Sequence, residues 1–137
     1  MTYICGVDEA GRGPLCGPVF ASAVILDNDL KINNLDDSKK ISPKKRKEIY
    51  EEIKIKSFEY TFASASVEEI DELNILNASL LAMKRAILML KKKPIECYVD
   101  GLYVPRIEGC NLTAIIKGDS LIPSISAASI VAKVERD

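Results

Sequence analysis

Two adjacent acids and a glycine-flanked arginine lie close together near the start of the chain. Asp8 and Glu9 end an apolar run, and Gly11, Arg12 and Gly13 follow almost directly. Carboxylates are preferred ligands of Mg²⁺ and Mn²⁺, an arginine suits phosphate, and glycines let a backbone approach a ligand closely. A solvated strand end would explain the acids and a β-turn the glycines, but neither explains the arginine. The stretch favours metal-assisted phosphoryl transfer, in which one metal activates water and a second stabilises the leaving oxygen.

Two further acids could join this pair. Asp100 ends another apolar, strand-like run, and sites in α/β proteins gather where strands end. Asp137 continues the apolar stripe of the predicted last helix, although the residues alone favour a terminal side chain that pairs with Lys133. Because side chains alternate along a strand, Asp8 and Glu9 reach one site only if the chain turns directly after them, as we expect at 10–13.

Composition excludes several other classes of site. The chain has no histidine, and its four cysteines form no CxxC pair, so a zinc site of the usual ligand spacing is not expected. With a net charge of −1, bulk charge does not indicate a nucleic-acid binder. No apolar run approaches the ~20 residues of a membrane span, and we expect a soluble, cytoplasmic protein.

Hydrophobic periodicity predicts an α/β fold with a mixed β-sheet flanked by helices. The 137 residues are expected to form a single domain. The predicted strands cover 3–8, 19–26, 58–63, 95–99 and 112–116, and the predicted helices 43–53, 67–73, 77–90 and 123–136. Ser42 is expected to cap the first helix, and Ser66 with Glu69 to form a capping box at the start of the second.

A basic stretch precedes and enters the first predicted helix. Lys39 and Lys40 lie before the helix, where they could reach a phosphate backbone. The lysines and arginine of 44–47 are better explained as a solvated helix face.

Beyond these separate signals, five stretches of the chain resemble the motifs of one family, ribonuclease HII. Residues 6–19 resemble its opening signature and residues 36–42 its second motif. Residues 74–76 and 98–101 resemble the third and fourth motifs, and residues 116–119 with 127–137 resemble the last. The motifs follow one another in the family's order and span nearly the whole chain.

The resemblance implies a ribonuclease H-like fold and an endonuclease that uses Mg²⁺ or Mn²⁺ in a two-metal-ion hydrolysis. Its substrates would be RNA–DNA hybrids, whose RNA strand it cuts, and duplex DNA with single embedded ribonucleotides, which it cuts on their 5′ side. The enzyme would act as a monomer. The resemblance assigns metal binding and catalysis to Asp8, Glu9, Asp100 and Asp137. It assigns substrate binding to Gly11, Arg12 and Gly13, which would sense the ribose 2′-hydroxyl, to Ser38, Lys39 and Lys40 on backbone phosphates, and to Asn74 and Lys117 as further candidates.

The chain departs from the family pattern in two places. Leu102 follows Asp100-Gly101 where the family usually has asparagine. The chain also stops at Asp137, where family members continue through further helices, so we expect a domain without the family's C-terminal helical part. The alternative hypothesis is therefore an inactive or weakly nucleic-acid-binding fragment of such an enzyme.

Overall fold

The computed structural model describes residues 3–11, 16–32, 35 and 41–137. Five strands and five helices lie along these residues. They are β1 (Ile4–Ala10), β2 (Val19–Leu26), α1 (Pro43–Lys56), β3 (Ser57–Ala65), α2 (Val67–Leu73), α3 (Ile75–Met89), β4 (Glu96–Asp100), β5 (Asn111–Ile115), α4 (Gly118–Leu121) and α5 (Pro123–Arg136). Each of the nine predicted elements is present. The bounds of β2, α2 and α5 are as predicted, the other six have shifted ends, and the short helix α4 is additional.

The five strands form one mixed sheet in the order β3-β2-β1-β4-β5. β1 pairs antiparallel with β2, and β2 pairs antiparallel with β3. β4 pairs parallel with both β1 and β5. The predicted mixed sheet is therefore confirmed, and the carboxyl ends of β1, β4 and β5 meet at one edge.

Helices cover both faces of this sheet. On one face, Ala78, Ala82 and Met83 of α3 pack with Cys5 and Val7 of β1. On the other face, α1 and α5 pack against β2 through the buried residues Val24, Ile49, Ile53, Ala127 and Ile130. Cover on both faces explains why β1 and β2 have continuous apolar runs rather than alternating ones.

Capping residues set several helix ends as the sequence predicts. Ser42 accepts a hydrogen bond from the Lys45 backbone at 3.2 Å and precedes Pro43, the first residue of α1. Ser66 and Glu69 form the predicted capping box of α2. Helix α3 begins before the predicted Asn77, because the side chain of Asn74 accepts a hydrogen bond from the Asn77 backbone at 2.9 Å.

The prediction that the chain turns directly after Glu9 is wrong, because the strand extends one residue further. β1 continues through Ala10, which pairs with Phe20 of β2, so side chains still alternate at Asp8 and Glu9. None of the helices in the described part of the chain has the length and apolarity needed to cross a membrane.

Gly6 of β1 marks the closest approach between the sheet and α5. A Cβ atom at this position would lie 2.2 Å from the carbonyl carbon of Ser124. That distance is far inside van der Waals contact, and the neighbour is backbone that cannot rotate away. Only a residue without a side chain lets α5 lie this close to β1.

We expect Gly6→Ala to lower the free energy of unfolding by about 3 kcal/mol or more, because β1 and α5 must separate to admit the methyl group. Urea denaturation followed by circular dichroism measures the loss. Gly17→Ala is the matched control, since no described atom lies within 4 Å of a Cβ built there. Equal stability of the two variants would contradict the close approach.

Candidate active site

Three carboxylates from separate elements meet at the carboxyl edge of the sheet. Asp8 lies on β1, Asp100 ends β4, and Asp119 lies on α4. Each offers one oxygen, and these oxygens all lie within 4.8 Å of one another. The parallel register pairs Val7 with Val99, which places the next residues, Asp8 and Asp100, side by side.

A tight reversal after β5 brings in the third acid. Lys117 adopts the left-handed conformation (φ 57°), and α4 begins at the next residue. The Gly118 backbone donates a hydrogen bond to Asp100 Oδ1 at 2.9 Å. This bond joins α4 to the end of β4, and Asp119 is buried beside Asp100 as a result.

Burial and like charge dominate the electrostatics of the group. Asp8 is only 5% exposed, and this burial, with the charge of Asp100, raises its pKa well above the usual value. A hydrogen bond of 2.8 Å from the Glu9 backbone to Asp8 Oδ1 opposes the rise. Three acids that disfavour each other's charge, offering oxygen atoms alone, suit a hard divalent cation.

Glu9 borders the group from the other face of the sheet. Among the described residues, the cluster of three does not include it, because alternation along β1 directs Glu9 away from Asp8. Burial and the charge of Asp100 nevertheless raise the pKa of Glu9, and Arg136 and Lys133 oppose that rise. Glu9 therefore lies close enough to Asp100 to act at the same edge.

Next to Glu9 and Asp100 runs an open groove of about 290 Å³. Its walls are mostly apolar and come from the start of α3 and from the segment after β4. The lining residues include Ile75, Leu76, Leu102 and Tyr103, all of which are exposed. Leu102, where the family usually has asparagine, thus contributes an apolar side chain to this groove.

Two cationic side chains of α5, Lys133 and Arg136, lie near the acids. Burial lowers the pKa of Lys133, while the charges of Asp8 and Asp119 oppose this fall. Arg136 also acts on Glu9. The last two turns of α5 therefore supply positive charge beside the carboxylates.

Asp137 lies outside the cluster of three carboxylates found among the described residues. Its Oδ1 atom forms an ion pair with Arg136 at 3.1 Å, and its side chain is 39% exposed. Its backbone N–H donates to the Lys133 carbonyl at 3.1 Å. The carboxylate itself pairs with Arg136 and not, as the residues alone favoured, with the Lys133 side chain.

The predicted substrate-binding residues are described in part. Gly11 is exposed directly after β1, Asn74 joins α2 to α3, and Lys117 is exposed before α4. The other predicted substrate-binding residues lie outside the described residues: Arg12, Gly13, Ser38, Lys39 and Lys40.

Asp119 is the site residue that the sequence analysis missed. The available signal was an acid shortly after a predicted strand, the same signal that identified Asp100. Residues 116–119 resemble part of the last family motif, but the sequence alone assigns no role to Asp119, because neither the reversal at Lys117 nor the helix α4 is predicted.

Known proteins match nearly the whole chain. The sequence pattern of the family described as Ribonuclease HII matches residues 5–137. Ribonuclease HII of Burkholderia lata is 58% identical over 134 residues, which are 98% of this chain and 62% of that relative. The chain thus spans about three fifths of the length of the curated relatives it matches.

Solved structures agree on the fold. Ribonuclease H2 of Pyrococcus horikoshii has a TM-score of 0.84 and 29% identity, over 99% of this chain and 72% of its own. RNase HII of Archaeoglobus fulgidus, solved in a complex with PCNA, has a TM-score of 0.76 and 32% identity, over 97% of this chain and 71% of its own. The predicted ribonuclease H-like fold is confirmed, and with a family pattern that reaches from residue 5 to residue 137 the chain belongs to the ribonuclease HII family.

Proposed function

We propose that this chain is the catalytic part of an endonuclease that hydrolyses the RNA strand of RNA–DNA hybrids. It also cuts on the 5′ side of single ribonucleotides embedded in duplex DNA. The observation that carries the proposal is the meeting of Asp8, Asp100 and Asp119 within 4.8 Å in a chain of the ribonuclease HII family. We place this activity in the cytoplasm and assign it to a monomer.

The acids at this edge are suited to hold Mg²⁺ or Mn²⁺. Asp8, Asp100 and Asp119 offer carboxylate oxygens without nitrogen or sulfur ligands, and Glu9 lies beside Asp100. Burial, together with the charge of Asp100, raises the pKa of Asp8 and of Glu9, and a cation bound at this edge would offset both effects. A pair of bound divalent ions supplies an activated water and stabilises the leaving oxygen.

The remaining residues of the proposed site bind the nucleic acid. On the family resemblance, Gly11, Arg12 and Gly13 recognise the 2′-hydroxyl that distinguishes ribose from deoxyribose. By the same resemblance, Ser38, Lys39 and Lys40 hold backbone phosphates, and Asn74 and Lys117 contact the substrate. The groove beside Glu9 and Asp100 gives a nucleotide strand access to the acids from the α3 side.

We include Asp137 among the proposed metal ligands because of the family resemblance. We include Asp119 because its carboxylate lies beside those of Asp8 and Asp100. For Asp137 to reach the metal, its carboxylate must leave Arg136, to which it is paired at 3.1 Å. Asp119 needs no such movement, because it already lies against Asp8 and Asp100.

We expect Asp100→Asn and Asp119→Asn each to lower the cutting rate by at least about 100-fold, because each removes a charged metal ligand. The assay uses Mn²⁺ or Mg²⁺ and a labelled DNA duplex with one ribonucleotide. Asp29→Asn is the control, since Asp29 is exposed in the turn after β2, at the opposite edge of the sheet.

The same assay tests the alternative of an inactive fragment. The 137-residue chain is compared with a version extended to the length of its relatives. An extended protein that leaves both the hybrid and the ribonucleotide-containing duplex intact would refute the proposed activity. An active extended protein beside an inert 137-residue chain would instead establish the fragment hypothesis.

Asp8→Asn should stabilise the metal-free protein while abolishing activity. A carboxyl whose folded pKa is raised stabilises the fold below its unfolded pKa, about 3.9, and loses that contribution as pH rises through the folded pKa. The variant should therefore melt close to the wild type near pH 4 and about 3 °C or more above it at pH 8, a shift worth about 1 kcal/mol. Thermal melts in EDTA across this range measure the difference, and a gap that stays constant with pH would contradict it.

Metal titration separates the two candidates for the last ligand. We expect Mn²⁺ to raise the melting temperature of the wild type, and Asp119→Asn to weaken the apparent affinity by about 10-fold or more. Asp137→Asn is measured beside it, because it removes a proposed ligand that is paired with Arg136 instead of with the other acids. A loss confined to Asp137→Asn would remove Asp119 from the metal set.

A further inference from the structure

Three cysteine thiols lie side by side near the amino ends of β1, β4 and β5. Cys5 of β1 pairs in register with Cys97 of β4, and Cys97 pairs with Leu112 of β5. Cys110 directly precedes β5, and both Cys110 and Leu112 pack against the core cluster that contains Cys5 and Cys97. This cluster lies on the face of the sheet covered by α3, which differs from the face on which Asp8 and Asp119 meet.

Cys97 and Cys110 are in direct contact. Their Sγ atoms lie 3.3 Å apart, and both cysteines are free thiols. Cys97 is fully buried, whereas Cys110 is partly exposed just before β5 begins. A disulfide would require the two sulfur atoms to approach by about 1 Å more, and one of them can be reached from solvent.

We propose that Cys97 and Cys110 form a modification site, a reversible intramolecular disulfide generated by hydroperoxides. The site is independent of the proposed nuclease activity, because it uses no residue of the carboxylate cluster.

The reaction balances with one hydroperoxide. The Cys110 thiolate attacks the outer peroxide oxygen, so that an S–O bond forms and the O–O bond breaks. The leaving hydroxide or alkoxide takes up the proton that the thiol released. The Cys97 sulfur then attacks the sulfenic acid sulfur, so that the S–S bond forms and the hydroxyl leaves as water with the Cys97 proton. Two thiols lose two electrons in total, and the peroxide gains them.

The position of each thiol sets the order of the two steps. Of the two thiols, only Cys110 is accessible to a dissolved oxidant, and Cys97 is already in contact with it to resolve the sulfenic acid. Burial raises the pKa of Cys110 to about 12, so little thiolate is present at neutral pH and the first step is slow. Because Cys97 is in contact with Cys110 before the first step, resolution needs no diffusion, and this favours the disulfide over further oxidation of Cys110.

The bridge would join β4 to the segment that enters β5. It would close the loop 97–110, in which Gly101 and Gly109 have positive φ angles. Closing a loop of this length restricts the unfolded chain more than the folded one. We therefore expect the oxidised protein to melt about 5 °C or more above the reduced protein.

The test treats the purified Cys16→Ser protein with hydrogen peroxide at pH 8.5, because Cys16 is exposed and could pair between molecules. We expect the oxidised protein to have an intact mass about 2 Da below that of the reduced protein. When the remaining thiols are alkylated, two fewer cysteines should be modified than in the reduced protein. Peptide mapping should find Cys97 linked to Cys110, and dithiothreitol should restore both thiols and the lower melting temperature.

Cys110→Ser in the same background is the matched variant, and it should show neither the mass loss nor the rise in melting temperature. Circular dichroism of this variant serves as the check that it is folded. A Cys5–Cys97 disulfide, or sulfinic acid at Cys110 without a disulfide, would overturn the proposal. So would a Cys110→Ser protein that still loses two thiols.

Discussion

Repulsion among three carboxylates is the constraint on which the rest of the structure depends. Parallel pairing of β1 with β4 holds Asp8 beside Asp100, and the Gly118 hydrogen bond to Asp100 holds α4, and with it Asp119, in place. Asp8 and Asp119 are buried, and strand pairing and the Gly118 hydrogen bond hold the backbones of the three acids close together. The group must take up a proton or a cation to be stable, and the pKa of Asp8, raised by burial and by the charge of Asp100, reflects that need.

The packing of α5 supplies both stability and opposing charge. Because Gly6 has no side chain, the start of α5 lies directly on β1, and the helix then runs over the carboxyl end of the strand. This path brings Lys133 close enough to Asp8 and Asp119 for their charges to act on it. One close contact between a helix and a strand therefore fixes where the cations stand relative to the acids, and a small shift of α5 would alter the site's electrostatics.

Local signals in the sequence predicted much of the fold. Ser42 and the pair Ser66 and Glu69 identified helix starts, because a cap uses side chains and backbone groups only three residues apart. The start of α3 was predicted too late because Asn74, with its positive φ angle, both ends α2 and caps α3. An asparagine in that conformation cannot be recognised from apolar periodicity, which locates the buried face of a helix and not its end.

The candidate site was predictable only where its residues follow apolar runs. Asp8 and Asp100 follow apolar runs, and strand pairing then brings them together without any further information. Asp119 depends on a left-handed residue and a four-residue helix after β5, and neither leaves a clear pattern in the sequence. The position of Glu9 also required the structure, because β1 continues past it and places Asp8 and Glu9 on opposite faces.

Alternation along β4 explains how a charged site and an apolar core share the same strand. Cys97 and Val99 lie in the core beneath α3, so Asp100 is directed to the opposite face, where Asp8 and Asp119 meet it. The cost of burying charge is thus confined to the end of the strand, while the preceding residues contribute apolar burial. The thiols and the acids occupy different faces, and the chemistry of one face can change without direct contact with the other.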